Sequence, residues 1–155
     1  MPDIPNIKLM LEEKAIVEKT AELAARISRD YEGKDLVIVG ILKGSFMFLS
    51  DLVKRVTVPH IIDFMKVSSY GSSTQHSGVV QILLDISKPV EGKHVLVVED
   101  IVDTGLTLNY LLNVLRTRGP RTLKVASLLS KPSRRLVEIP VEYIGFTIED
   151  LFVVG

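Results

Sequence analysis

Residues 95–108 read VLVVEDIVDTGLTL. Four apolar residues, Val95, Leu96, Val97 and Val98, run straight into Glu99 and Asp100, and a third acid, Asp103, precedes Thr104, Gly105 and Thr107. An unbroken apolar run of this kind marks a strand covered on both faces. Beyond it, Leu108, Leu111, Leu112 and Leu115 fall on one stripe at helical spacing, which predicts a helix over 105–118 that Gly119 and Pro120 stop. The stretch is therefore a buried strand, a turn crowded with acids and hydroxyls, and a helix.

The same alternation continues in both directions. Residues 36–42, LVIVGIL, repeat the buried-strand pattern. Before them, Ile16, Val17, Thr20, Leu23, Ala24, Ile27 and Tyr31 share one face of a helix over 16–31; after them, a helix over 46–56 turns Phe48, Leu49, Leu52, Val53 and Val56 inward. Further strands are expected over 61–67, 79–84, 123–129 and 141–146. Residues 68–78, SSYGSSTQHSG, are small and polar and read as a long loop, a feature that in a compact domain is either functional or disordered. Strands alternating with helices imply an α/β fold: a mostly parallel, twisted sheet flanked by helices and joined by right-handed crossovers. Ligands of such sheets bind beyond the carboxyl ends of the strands, where the opening stretch carries its acids.

Bulk properties agree. The 155 residues suit one domain, and a chain 46% hydrophobic and 25% charged can build a core. Nineteen basic residues balance nineteen acidic ones, so net charge gives no support to a nucleic-acid or anionic-membrane partner. There is no cysteine, which excludes disulfides, thiolate zinc sites and cysteine nucleophiles and fits the cytoplasm. The N-terminus lacks the pattern of a signal peptide, and no apolar run approaches a membrane span.

The turn can do specific chemistry. The first amides of a helix lack intrahelical partners and carry partial positive charge, so an anion fits where residues 104–107 open the helix. Gly105 lets the backbone approach closely, and Thr104 and Thr107 add hydroxyl donors. Taken alone, a threonine at position 104 is more often just an N-cap. Glu99 and Asp100 would repel a bare phosphate and so need another partner: a ribose diol, or a bound Mg²⁺. Asp103 is placed to act as general acid or base. The run followed by acids also suits a Walker B strand, but the chain has no G-x-x-x-x-G-K-[ST], and it lacks G-x-G-x-x-G, H-E-x-x-H and G-x-S-x-G.

VVEDIVDTGLTL resembles the phosphoribosyl pyrophosphate motif of type I phosphoribosyltransferases, and within them the chain resembles the hypoxanthine-guanine enzymes. The likeness runs through GILKGSFMFLSDL, VSSYGSSTQHSG, the motif itself, VASLLSKPSRR and YIGFTIEDLFVVG, in that order. It implies transfer of a 5-phosphoribosyl group from phosphoribosyl pyrophosphate to a 6-oxopurine, with Mg²⁺, releasing pyrophosphate in purine salvage. It implies one domain over 1–155, with a small, incomplete hood from the N-terminal residues and 131–155. Glu99 and Asp100 would hold the ribose hydroxyls, directly or with the metal. Asp103 would be the base near purine N7. Asp103, Thr104, Gly105, Leu106 and Thr107 would cradle the 5′-phosphate. Lys43 and Gly44 match a pyrophosphate loop that often contains a cis peptide, and Arg135 is a further pyrophosphate contact. Ser69 and Tyr70 match a loop that closes over the reacting sugar. Lys131 would donate to the purine O6, Phe152 would stack on the base, and Val153 would offer backbone groups to its edge. His60, His76 and His94 take no part.

The resemblance also implies a segment after residue 155 bearing an Asp and an Arg that assist Mg²⁺ and pyrophosphate. It implies homodimers or homotetramers with Lys43 near a subunit interface, and a cytoplasmic location. The alternative reading is a regulator of the same fold that binds RNA and keeps the nucleotide site as a sensor.

Overall fold

The computed structural model describes residues 7–68 and 80–155. Helix α1 (Glu13–Asp30) leads to strand β1 (Leu36–Ile41), helix α2 (Phe46–Val53) and strand β2 (His60–Val67). Strand β3 (Ile82–Leu84), strand β4 (His94–Val102), helix α3 (Leu106–Arg116), strand β5 (Thr122–Ser130), a short 3-10 turn (Pro132–Arg134) and strand β6 (Tyr143–Thr147) complete the described part.

The strands form one six-stranded sheet in the order β3-β2-β1-β4-β5-β6. All neighbours run parallel except β3, which pairs antiparallel with β2 at the edge. The architecture is the expected α/β sheet with flanking helices. Every residue of β1 is buried. Leu36 and Ile38 face one core with Leu23, Ile27, Leu49 and Leu52; Val37, Val39 and Ile41 face the other with Leu108, Leu111, Leu112 and Leu115. That two-sided burial is why LVIVGI lacks polar alternation.

Three details differ from the expectations. Val17 is 42% exposed rather than inward, because α1 packs along the stripe of Thr20, Leu23, Ala24 and Ile27. Helix α2 ends at Val53, although Val56 is still buried. Strand β4 does not stop at Val98: it runs to Val102, with Glu99 opposite Ser127 and Ile101 opposite Leu129 on β5. The first two acids are therefore part of the strand and only Asp103 belongs to the turn. Of the residues assigned to the hood, 143–147 form the edge strand of the main sheet, paired with β5.

Candidate active site

Strand β4 sits beside the middle of the sheet, and its carboxyl end delivers Glu99, Asp100 and Asp103 to one cleft of about 340 Å³. Its walls also include Ile41, Leu42 and Gly44 from the end of β1 and the turn after it, Val67 from β2, and Thr104, Gly105, Thr107 and Leu108 from the start of α3. Residues far apart in sequence thus converge at the strand ends, as the topology requires.

The turn into α3 is built around Gly105, the N-cap residue, at φ +85°. That left-handed conformation strains any residue with a Cβ. Its carbonyl accepts the first helical bond, from Asn109 N–H at 2.8 Å. Gly105 makes no side-chain cap, and Leu106 N–H reaches Thr104 Oγ1 only at 3.4 Å. Thr104 is therefore a poor N-cap, and the start of the helix, an end that favours an anion, lies in the wall of the cleft.

The loop is braced from behind. Arg135 donates through one guanidinium nitrogen to the Asp103 carbonyl and through another to Ser130 Oγ, each at 2.9 Å, and Leu136 N–H donates to Thr104 O at 2.9 Å. Arg134 donates from Nε to Asp103 Oδ1 at 3.0 Å. Its other end lies 3.7 Å from Asp150, which in turn lies 4.0 Å from Lys131 Nζ. Arg134 and Asp150 were not singled out from the sequence; the doubled arginine in KPSRR was the available signal.

Glu99 and Asp100 stand side by side. Burial first, and then the neighbouring Asp100 charge and a hydrogen bond with it, push the Glu99 carboxyl well above the usual range. Gly44 lies against this pair: a Cβ built on it would be 2.5 Å from Asp100 Oδ2. The turn that presents Gly44 contains a cis peptide between Leu42 and Lys43, within the loop where the resemblance implied one. Ser45 closes it by donating from Oγ to Ile41 O at 2.6 Å.

Among the residues singled out beforehand, Gly44, Glu99, Asp100, Asp103, Thr104, Gly105 and Thr107 line the cleft together. Leu106 begins α3 beside them. Lys43 is exposed at the cleft edge. Lys131 is buried at the end of β5, its N–H donating to Val102 O at 2.9 Å. Arg135 is placed behind the turn rather than in the wall of the cleft. Phe152 is 94% exposed and so is no core residue, and Val153 is half-buried. Ser69, Tyr70 and His76 lie outside the described residues. His60 and His94 are occupied structurally, through Val58 O and Thr122 Oγ1.

For a metal, the donor set is two adjacent carboxylates. No cluster of three or more histidine, cysteine, aspartate or glutamate side chains occurs among the described residues. A pair suits Mg²⁺, which keeps several waters and takes its remaining oxygens from a substrate rather than from a protein cage.

A sequence model of the phosphoribosyl transferase domain matches residues 8–155. A hypoxanthine phosphoribosyltransferase of Salmonella typhimurium is 47% identical over 152 residues, covering 97% of this chain and 85% of that protein. A hypoxanthine-guanine phosphoribosyltransferase of Dictyostelium discoideum is 47% identical over 152 residues, covering 96% and 84%. The crystal structure of a hypoxanthine phosphoribosyltransferase from Staphylococcus aureus superposes with a TM-score of 0.91 at 47% identity, over 96% of this chain and 80% of that one.

Proposed function

We propose a mechanism from one premise: this chain belongs to the phosphoribosyl transferase family. It is a pentosyltransferase that moves the 5-phosphoribosyl group from phosphoribosyl pyrophosphate to hypoxanthine or guanine, yielding the nucleotide and pyrophosphate in purine salvage. The observation that carries the site assignment is the convergence in one cleft of Glu99, Asp100, Asp103 and the helix start at Gly105.

The 5′-phosphate sits on the amides of residues 104–107, where the helix end favours an anion. The ribose hydroxyls donate to Glu99 and Asp100, which relieves the crowding of two acids by giving each a donor. The diphosphate lies along the backbone of Lys43 and Gly44, with Lys43 as its charge partner. When bound, Mg²⁺ neutralises charge on the diphosphate, and the Glu99–Asp100 pair, with the ribose oxygens, is where it would be held.

The purine lies over Asp103. Lys131 donates to its O6, Phe152 stacks on its face, and Val153 meets its edge. As the bond from the sugar to pyrophosphate lengthens and N9 attacks, Asp103 accepts the N7 proton. The developing oxocarbenium-like sugar has to be kept from water, the task assigned to Ser69 and Tyr70. Arg135 acts from behind the turn, holding Asp103 O and Ser130. The chain works as one domain, and the exposed Phe46 and Met47, directly after the pyrophosphate loop, are the proposed subunit contact of a homodimer or homotetramer.

The test is nucleotide formation. The chain is supplied with Mg²⁺, phosphoribosyl pyrophosphate and hypoxanthine, guanine, xanthine or adenine in turn, and products are resolved by chromatography. Inosine or guanosine monophosphate is expected, and no adenosine monophosphate. Product from adenine alone would overturn the purine assignment.

A further inference from the structure

The mechanism leaves Arg134 and Asp150 without a task, yet both reach its central groups. Arg134 Nε donates to Asp103 Oδ1 at 3.0 Å, and its NH1 lies 3.7 Å from Asp150 Oδ2. Asp150 Oδ1 lies 4.0 Å from Lys131 Nζ. Charges of alternating sign therefore connect the proton acceptor to the lysine that reads the purine.

The pair is poorly placed to be a stabilising device. The side chains of Arg134 and Asp103 are 46% and 44% exposed, and exposed ion pairs add little to a fold. It is well placed to set an orientation. An aspartate carboxylate rotates in a broad, two-fold well, so nothing intrinsic aims either oxygen. A donor fixed on Oδ1 aims Oδ2. The donor is itself fixed: residues flanking it are tied to the same turn through Arg135 to Asp103 O and Leu136 N–H to Thr104 O, each at 2.9 Å. A guanidinium suits the task better than an ammonium, because its planar fork can hold Asp103 and Asp150 at once.

We propose that Arg134 is the positioning residue for Asp103, pinning Oδ1 so that Oδ2 is aimed at the purine N7 proton, with Asp150 steadying the guanidinium from its far side. This rests on the assignment of Asp103 as proton acceptor. The purine then meets a carboxylate already turned toward it, and the rotation is not left to be frozen at the moment of transfer.

The test is steady-state kinetics with hypoxanthine, phosphoribosyl pyrophosphate and Mg²⁺, on the full chain and on Arg134→Met, Arg134→Lys, Asp103→Asn and the Asp103→Asn/Arg134→Met double variant. Arg134→Met is expected to lower kcat about tenfold or more, the scale of a misaimed group, with KM for phosphoribosyl pyrophosphate unchanged. Arg134→Lys should recover part of the loss, and the double variant should be no slower than Asp103→Asn, since a residue acting through Asp103 has nothing left to aim. Unchanged kcat in Asp103→Asn would overturn the proton-acceptor assignment and this inference with it. A normal loss in Asp103→Asn, with kcat unchanged in Arg134→Met or with losses that add in full, would overturn the inference alone. So would a raised KM for phosphoribosyl pyrophosphate accompanied by a lowered Tm in Arg134→Met, which is the behaviour of a structural tie.

Discussion

A Cβ built on Gly44 would fall 2.5 Å from Oδ2 and 2.9 Å from Cγ of Asp100, so the turn after β1 and the acid on β4 touch with no room for a side chain. The obstructing atoms are the far end of a side chain, not backbone. An alanine is therefore accommodated by swinging the Asp100 carboxylate aside. Gly44→Ala is expected to keep its Tm and to lose about tenfold or more in kcat/KM for phosphoribosyl pyrophosphate, because a displaced carboxylate would leave the position proposed for holding the ribose. Thermal melting beside kinetics checks this; full activity would mean that Asp100 does not need its observed position.

Asp103→Asn removes the proposed proton acceptor and leaves the turn that Arg135 and Leu136 hold through main-chain oxygens. The expected outcome is a kcat lowered by about 10²–10⁴, with binding of phosphoribosyl pyrophosphate retained. Titration calorimetry with phosphoribosyl pyrophosphate, run beside single-turnover kinetics, separates the two. Equal losses in affinity and rate would place Asp103 in the phosphate cradle instead.

Glu99 gives the fold a pH dependence of definite sign. Burial and the Asp100 charge raise its carboxyl above the unfolded value, so the folded state holds a proton that the unfolded state has released. A raised group of this kind contributes its full stability below the unfolded pKa and loses it as pH rises through the folded pKa. The ligand-free protein should therefore lose stability from mildly acidic pH upward, at a rate of at most about 1.4 kcal/mol per pH unit for one proton. Glu99→Gln should remove that slope and raise Tm at neutral pH, while weakening phosphoribosyl pyrophosphate binding. Melting curves across pH for both proteins decide it: parallel curves would mean Glu99 is not the group.

How far the sequence carries depends on whether a feature is local. The strands at 36–41 and 95–98 were legible because two-sided burial leaves them apolar throughout. The stripe of α3 was legible from its four leucines. The extension of β4 through Glu99 and Asp100 was not, because acids ordinarily end a buried strand, and here the ladder continues past them, with Glu99 opposite Ser127 and Ile101 opposite Leu129 on β5. The contact of Arg134 with Asp103 depends on residues 131–136 folding back over the turn after β4, and no local pattern encodes such a return. From local sequence alone Phe152 read better as a strand core residue, and its exposure of 94% removes that reading.

Gly105→Ala meets two obstacles at once. The residue sits at φ +85°, and a Cβ would come 2.9 Å from Ile139 Cδ1 and 3.3 Å from Arg135 Cδ. Ile139 can yield, but the left-handed backbone costs about 1–2 kcal/mol for any side chain. The variant should be destabilised by that amount in urea, and its affinity for phosphoribosyl pyrophosphate should fall with the misplaced amides. Wild-type stability together with wild-type affinity would show that the turn tolerates a Cβ.

Lys131 is buried, with Nζ 4.0 Å from Asp150 and with its main chain tied to Val102 at the end of β4. An ammonium is a donor only. It matches a 6-oxo group and leaves the 6-amino group of adenine facing another donor, a mismatch that can discriminate strongly because neither group finds a partner. Gln presents both a donor and an acceptor by turning its amide. Lys131→Gln should therefore lower kcat/KM for hypoxanthine and relax the rejection of adenine, narrowing the ratio between the two by about tenfold or more. The competing effect is the loss of a charge beside Asp150, which would depress activity with every purine alike. The ratio measured with both bases on the same preparation separates the two effects. A constant ratio at lower activity would remove Lys131 from the reading of O6 and leave it as the counter-charge of Asp150.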